Sequence, residues 1–243
     1  MLKVENVSKS YAGKEVKAID EVSFTVKPGE IVGFIGPNGA GKSTTIKCIS
    51  GILPFESGDI YVCDKNVRTQ AMDAKKNLAY VADENILYSG LTGLQYINFI
   101  ADVFEISKEE REERVEKYVR LFDMTDKMKD KIGSYSHGMK QKISLIAGLV
   151  HEPKLWILDE PMTGLDPKAG FELKKLMKEH AGKGNAVLFS SHVLEVVEKL
   201  CTKVVIIDKG HVITESATED LQKVRDDMTL EELFLKLTGV TGE

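Results

Sequence analysis

The sequence predicts an α/β protein with a mostly parallel β-sheet, an N-terminal antiparallel β flank and an inserted α-helical lobe. Three short apolar runs predict parallel strands, at 31–35 (IVGFI), 155–158 (LWIL) and 186–189 (AVLF). Uninterrupted apolar runs are typical of strands that helices cover on both faces. Each run ends in a polar or glycine-rich segment, and ligands bind beyond the carboxyl ends of such strands. We therefore expect the three segments to meet at one site.

The rest of the chain shows two other periodicities. Apolar and polar residues alternate in 2–7 and 21–26, before the turn at 27–29 (KPG), which predicts antiparallel strands. Between about 93 and 152, apolar residues recur three and four positions apart, which predicts helices. The mixed-charge run 108–117 predicts an exposed helix face. We divide the chain into the β flank with the first part of the core (1–92), a helical lobe (93–152), the second part of the core (153–213) and a short helical tail (214–243).

Composition excludes several classes of protein. With 42% hydrophobic and 29% charged residues, the 243-residue chain is neither disordered nor collagen-like. Its net charge of −5 predicts no general attraction to nucleic acid. The longest uncharged apolar run, 143–150, is far shorter than the ~20 residues that cross a bilayer, and no secretory signal begins the sequence. We therefore expect a cytoplasmic protein, in which Cys48, Cys63 and Cys201 are reduced and pack in the fold.

A glycine-rich segment, GPNGAGKS (36–43), follows the first apolar run and opens a helical stretch. The pattern G-x-x-x-x-G-K-[ST] in this context predicts a phosphate-binding loop, whose backbone N–H groups and helix start surround an anion. Lys42 would neutralise the β and γ phosphates, and the Ser43 hydroxyl would bind Mg²⁺. The alternative, a glycine-rich turn with an unrelated lysine, is disfavoured by the flanking strand and helix.

Two acidic residues, Asp159 and Glu160, follow the second apolar run. Asp159 is suited to hold the Mg²⁺ shell, and Glu160 to orient and deprotonate an attacking water. Strands often end in acidic residues, so this pair is a weak signal by itself. Its combination with the phosphate loop favours the catalytic interpretation.

Five segments in this order resemble the nucleotide-binding subunit of ATP-binding cassette (ABC) transporters, a family with a P-loop NTPase core. They are GPNGAGKST (36–44), YSHGMKQK (135–142), LWILDEP (155–161), TGLD (163–166) and SSH (190–192). The resemblance implies ATP and Mg²⁺ as cofactors, with Lys42, Glu160 and His192 as catalytic residues. It also implies Ser43, Asp83 and Asp159 as metal ligands. The implied nucleotide-binding residues are Tyr11, Gly36, Pro37, Asn38, Gly39, Ala40, Gly41, Lys42, Ser43, Thr44, Ser136, Gly138 and Asp166.

The signature segment implies a second subunit. Ser136 precedes an amphipathic helix whose start, with Gly138, offers a hydroxyl and backbone N–H groups to an anion. The resemblance implies that this site closes over ATP held by a facing subunit, so that two nucleotides are sandwiched head to tail. Asp166 would position the partner's catalytic groups. The alternative for Ser136 is an ordinary helix N-cap, and for His192 it is a surface or core histidine.

The sequence departs from the family at two places. Asp83 occupies the position where the family usually has glutamine; an acid there would bind Mg²⁺ or its water, with a different response to pH and metal. The signature has His137 and Met139 where glycine and glutamine are commoner, but it keeps Ser136 and Gly138.

These features predict an ATPase that dimerises around two ATP molecules and powers a separate membrane-spanning permease from the inner face of the cell membrane. The expected docking surface lies near 83–99. The tail segment 229–239 resembles the closing helix of ATPases from drug and bacteriocin exporters, which favours export, although it also fits a simple capping helix. The alternative function is a soluble ABC-type ATPase that acts on another partner, such as an iron–sulfur assembly scaffold. The candidate docking residues are Tyr88, Leu91, Leu94, Tyr96 and Phe99.

Overall fold

The computed structural model describes residues 1–13, 16–84, 86–224 and 228–239, which form two β-sheets, a helical lobe and peripheral helices. The strands are β1 (Leu2–Lys9), β2 (Ile19–Val26), β3 (Ile31–Ile35), β4 (Ser57–Val62), β5 (Lys65–Asn66), β6 (Leu78–Val81), β7 (Leu155–Leu158), β8 (Ala186–Ser190), β9 (Lys203–Asp208) and β10 (His211–Ala217). The helices are α1 (Lys42–Ile49), α2 (Ala71–Lys76), α3 (Gly93–Val103), α4 (Lys108–Leu121), α5 (His137–Leu149), α6 (Pro167–Gly182), α7 (Leu194–Leu200), α8 (Thr218–Val224) and α9 (Leu230–Thr238). Short 3-10 helices cover Thr125–Lys127 and Ile132–Ser134.

The central sheet has the strand order β10-β9-β3-β8-β7-β6, and its pairs are parallel except that of β10 with β9. The three predicted buried strands are confirmed as β3, β7 and β8, and all their residues are buried. In the register, Leu158 lies beside Phe189 and Phe34 lies beside Ser190. The carboxyl ends of β3, β7 and β8 therefore lie in line at one edge of the sheet.

The predicted antiparallel flank is confirmed by a second sheet with the order β2-β1-β4-β5. Strands β4 and β5 extend this sheet beyond the stretch in which the alternation predicted it. A mostly buried lysine, Lys203 of β9, links the two sheets through hydrogen bonds to Glu215 (2.8 Å) and to Thr25 of β2 (3.3 Å). Its ammonium also lies 3.3 Å from a carboxylate oxygen of Glu30.

The predicted lobe is helical, with α3, α4 and α5 packed around buried residues such as Ile97, Tyr118 and Ile143. The charged run 108–117 lies in α4, and its side chains are exposed or half-buried, as expected. The division into four segments stays a prediction, and residues 225–227 and 240–243 of the tail lie outside the described residues.

Two further expectations concern membrane crossing and cysteine pairing. Within the described ranges, every helix is too short or too polar to cross a bilayer. The three cysteines are free, with Cys48 and Cys201 buried and Cys63 half-buried.

Candidate active site

The phosphate loop connects β3 to α1 in a backbone conformation that requires glycine. Gly41, directly before α1, has a φ of +108°, in the left-handed region that other residues rarely adopt. Gly36 lies so close to β9 that a Cβ there would overlap the carbonyl oxygen of Ile207. The loop is therefore packed against the end of β9, the N–H of Ala40 donates within the loop to the Pro37 carbonyl oxygen (3.1 Å), and the start of α1 is suited to an anion.

Lys42 is the first residue of α1, and its side chain folds back over the loop. Its ammonium donates hydrogen bonds to the carbonyl oxygens of Gly36 (2.7 Å) and Pro37 (3.1 Å). Burial lowers the pKa of Lys42, whereas the carboxylates of Glu160 and Asp159 act in the opposite direction. A phosphate group near this ammonium would supply a countercharge close to the loop.

Asp159 and Glu160 continue directly from β7, and the neighbouring strand β8 holds both of them. Asp159 is buried, and its Oδ1 accepts a hydrogen bond of 2.6 Å from the Ser190 hydroxyl. The same hydroxyl oxygen accepts a 2.9 Å hydrogen bond from the backbone N–H of Glu160. At Glu160 the chain leaves the sheet with a φ of +47°, which turns its carboxylate away from the buried strand.

His192 comes two residues after the end of β8 and lies beside Glu160. Its Nδ1 is 2.8 Å from Glu160 Oε2, which places a titratable ring against the predicted catalytic base. The His192 side chain is 69% exposed, against 19% for Glu160, so the imidazole is largely open to solvent. His151 and His180 lie elsewhere, and burial lowers the pKa of each to about 4.

A cleft of about 540 Å³ brings most of the predicted residues together. Tyr11 stands at its rim, 40% exposed, with its hydroxyl 3.2 Å from the Thr44 hydroxyl. The oxygen donors Ser43, Asp83 and Asp159, which the sequence predicts as metal ligands, all line it. The other lining residues from the predicted site are Tyr11, Asn38, Gly39, Gly41, Lys42, Thr44 and Glu160. Gly36, Pro37 and Ala40 instead support the loop from the protein side, Gly36 and Ala40 being buried.

The signature residues lie apart from this cleft. Ser136 is the N-cap of α5, where its hydroxyl accepts a 3.3 Å hydrogen bond from the N–H of Met139. Both Ser136 and its neighbour His137 are exposed. A Cβ on Gly138 would lie 2.5 Å from the carbonyl oxygen of Gly164, so the start of α5 packs closely against the TGLD segment.

Asp166, in that segment, is held within its own chain. Its carboxylate caps α6 by accepting from the N–H of Ala169 (2.9 Å), and it forms a 2.7 Å ion pair with Lys142 of α5. The hydrogen bond from Lys142 is the main reason that the pKa of Asp166 is lowered. The predicted role of Asp166 across a dimer stays a prediction.

Two residues of the site were missed by sequence reasoning. Ser190 links Asp159 to Glu160 through the two hydrogen bonds of its hydroxyl group. The only sign of this role in the sequence is its position in the pair of serines before His192. Gln141, buried in α5, donates through Nε2 to the carbonyl oxygen of Pro161 (3.1 Å), which holds the turn that follows Glu160.

Known proteins resemble this chain over nearly its whole length. The ABC transporter family profile matches residues 19–163. The linearmycin resistance ATP-binding protein of Bacillus subtilis is 37% identical over 221 residues, or 91% of this chain and 70% of that protein. The Nod factor export ATP-binding protein I of Burkholderia orbicola is 32% identical over 255 residues, or 98% of this chain and 82% of that protein. A solved structure described as the ATP-binding subunit of an ABC transporter has a TM-score of 0.92 and 33% identity, and covers 98% of this chain and 99% of its own.

Proposed function

The chain belongs to the ABC transporter family as an ATP-binding subunit with ATPase activity, and from this premise we propose how it hydrolyses ATP and what the hydrolysis drives. The observation that carries the proposal is the cleft in which Lys42, Asp159 and Glu160 face one another, with His192 2.8 Å from Glu160. In it, the triphosphate lies on the loop between β3 and α1, and the adenine stacks on the exposed ring of Tyr11.

Hydrolysis then uses this chain's own residues in separate roles. Lys42 exchanges its loop carbonyl acceptors for the β and γ phosphates. Glu160 orients the attacking water and accepts its proton, and His192 contacts the γ-phosphate from the edge of the cleft. These roles follow from positions in the cleft and from the resemblance of the motifs.

A divalent cation fits the donors that line the cleft. Ser43, Asp83 and Asp159 offer hydroxyl and carboxylate oxygens, which Mg²⁺ prefers, and Mg²⁺ characteristically takes only one or two carboxylates beside phosphate and water oxygens. We propose that Ser43 and Asp159 hold it, with Asp83 in reach directly or through water. When bound, Mg²⁺ neutralises charge that develops on the phosphate oxygens.

Closure requires a second copy or a close relative. The start of α5 is not part of the lining of its own cleft, Ser136 is exposed, and the N-terminus of this 13-residue helix is suited to an anion. We propose that it contacts the γ-phosphate held by a facing subunit, so that two cassettes enclose two ATP molecules. Asp166 belongs to the TGLD segment, which packs against this helix start at Gly138, and it would then face the partner's site.

A membrane-spanning permease is the proposed partner that the dimer moves. Tyr88, Leu94 and Phe99 are 60%, 42% and 44% exposed, and Tyr88 meets Phe99 edge to face at 5.8 Å, whereas Leu91 and Tyr96 are half-buried. An exposed aromatic cluster of this kind suits an apolar segment of a partner. The proposed location is therefore the inner face of the membrane, with no nucleic-acid partner.

Export is the proposed direction of transport. The names of two relatives, a linearmycin resistance protein and a Nod factor export protein, favour it. The resemblance of the tail segment 229–239, which forms α9, to the closing helix of exporter ATPases favours it as well. The second candidate, a soluble ABC-type ATPase that acts on an iron–sulfur assembly scaffold or a similar partner, stands on the same cleft and differs only in what it binds.

Nucleotide-driven dimerisation tests the proposed catalytic cycle. Glu160→Gln should keep ATP, accumulate as a dimer in light scattering, and lose about 100-fold or more in kcat, because general bases contribute about 10²–10⁴-fold. Glu116→Gln, which removes an exposed charge from α4, is the matched control and should turn over normally.

Adding Ser136→Arg to the Glu160→Gln protein should prevent ATP-dependent dimerisation without unfolding the monomer. Ser107→Arg is the matched control, because Ser107 likewise caps a lobe helix, α4, by accepting from the N–H of Glu110 (3.3 Å). A dimer that forms equally well with Ser136→Arg would contradict closure through the start of α5.

Purification from membranes in mild detergent tests the permease proposal. The tagged chain should bring down an integral membrane protein, and the double change Tyr88→Ala with Phe99→Ala should weaken this association while leaving the basal ATPase rate in place. Recovery of a purely soluble partner would favour the second candidate instead.

A further inference from the structure

We infer that Ser190 is a positioning residue that fixes Asp159 and Glu160 relative to each other, and that it sets the rate of hydrolysis rather than the affinity for nucleotide. The inference rests on the proposed roles of these two carboxylates. It assigns to the first serine of the SSH segment a function separate from that of His192.

The register of the central sheet brings Ser190 to Asp159. Leu158 pairs with Phe189 across the parallel strands β7 and β8, so the next residue of each strand lies at the same level. The Ser190 hydroxyl donates to Asp159 Oδ1 at 2.6 Å, a short bond typical of an O–H donor and a carboxylate. This bond fixes one oxygen of Asp159 and orients the other.

The same hydroxyl also holds the backbone at Glu160. Its oxygen accepts from the Glu160 N–H at 2.9 Å, at a residue whose φ of +47° lies in the left-handed region that non-glycine residues rarely adopt. The turn beyond it is held from the other side by Gln141, which donates to the Pro161 carbonyl. The strained backbone that aims the Glu160 carboxylate is thus restrained on both sides.

Ser190 itself is completely buried, so it acts through these two residues and not by touching the nucleotide. Its single hydroxyl proton is used by Asp159, and its oxygen by Glu160. The adjacent Ser191 has a different task, because its hydroxyl accepts from the N–H of Val193 at 3.0 Å. The two serines of the segment are therefore not interchangeable.

Three variants separate this role from a general loss of stability. Ser190→Ala removes the link, and Ser190→Thr restores a hydroxyl. Ser50→Ala is the matched control: Ser50 is also buried, but its hydroxyl donates to carbonyl oxygens of α1, those of Ile46 (3.0 Å) and Lys47 (3.2 Å). Steady-state kcat and KM, affinity for a fluorescent ATP analogue in EDTA, the Mg²⁺ concentration at half-maximal rate, and Tm are measured for each.

Ser190→Ala should lower kcat about tenfold or more and raise the half-maximal Mg²⁺ concentration several-fold. Its affinity for the analogue in EDTA should stay within about twofold of the unaltered protein, because the phosphate loop is unchanged. Ser190→Thr should recover kcat to within about threefold, and Ser50→Ala should keep the full rate. Equal kcat in Ser190→Ala and the unaltered protein, or an equal loss in Ser50→Ala, would overturn the inference.

Two further outcomes keep the test decisive. If Ser190→Ala does not fold, Ser190→Cys replaces it, since a thiol has a similar volume but is a weak hydrogen-bond donor, and an unchanged kcat in that variant would overturn the inference. If the unaltered protein itself fails to hydrolyse ATP, the proposed catalytic roles fail rather than the role of Ser190 alone.

Discussion

Replacing Gly36 with alanine tests how tightly the phosphate loop is tied to β9. The new Cβ would overlap the Ile207 carbonyl oxygen and lie 3.0 Å from Ile207 Cγ2 and 3.1 Å from Ala40 Cβ. Backbone cannot move aside as a flexible side chain can, so the overpacking cost belongs near the upper end of the usual ~1–3 kcal/mol. Alanine lowers the conformational entropy of the unfolded chain, which offsets about 0.4–1 kcal/mol of this cost. A net loss of about 2 kcal/mol corresponds to a fall in Tm of roughly 4–8 °C for a chain of this size.

The same change should weaken ATP binding, because the Gly36 carbonyl is an acceptor for Lys42 and moves with the loop. We expect the Kd for ATP to rise at least about tenfold, measured by isothermal titration below the melting transition. Gly170→Ala is the control: Gly170 lies inside α6, and a Cβ there meets nothing within 4 Å. It should stabilise the fold by roughly 0.5–1 kcal/mol. The reasoning fails if both variants melt at higher temperature than the unaltered protein, or if Gly36→Ala binds ATP normally.

Three further outcomes follow from other sites. Burial lowers the pKa of His151 to about 4 in the folded protein, whereas a histidine in the unfolded chain has a pKa near 6.5. As the pH falls, the unfolded chain therefore binds a proton at His151 before the folded protein does. Urea unfolding should therefore show stability falling from about pH 6.5 towards pH 4, with a shallower fall in His151→Phe; identical slopes would argue against it. Burial raises the pKa of Cys48 to about 12, so the native protein at pH 8 should leave this thiol unreacted with a disulfide reagent until urea is added, and prompt labelling would be contrary evidence. Tyr11→Ala should raise the Kd for ATP about fivefold or more in a fluorescence titration, whereas Tyr11→Phe, which keeps the ring, should not; equal losses would show that the Thr44 contact matters instead.

Sequence patterns predicted the strands that are buried on both faces and the helices of the lobe, because each has a strong local signature. The run IVGFI became β3, and the three- and four-residue spacing after Gly93 became α3 to α5. The pairing of β4 with β1 could not be read in this way, since it depends on contacts between distant segments. The prediction of three buried strands left out β9. Its run VVII (204–207) is an apolar signal as strong as those of the three strands that were predicted.

The site was predictable where one motif supplies the whole geometry, as in the phosphate loop. It was also predictable where strand ends converge, which explains why Asp159, Glu160 and Lys42 line one cleft. The strained backbone at Glu160 and its support by Ser190 depend on strand register and on a single hydroxyl, neither of which a sequence pattern encodes. The signature residues lie outside this cleft, because their proposed contacts are with ATP that a facing subunit holds.

The strand order of the central sheet has a consequence for biosynthesis. Strand β3 is flanked by β8 and β9, so its partners begin at Ala186, about 150 residues after Ile35 has left the ribosome. At translation rates of about 5–20 residues per second, this apolar segment waits roughly 8–30 seconds before it can pair. A nascent chain stalled before Ala186 therefore exposes the apolar segment of β3 without its partner strands. We expect general chaperones to bind this nascent chain until β8 and β9 emerge.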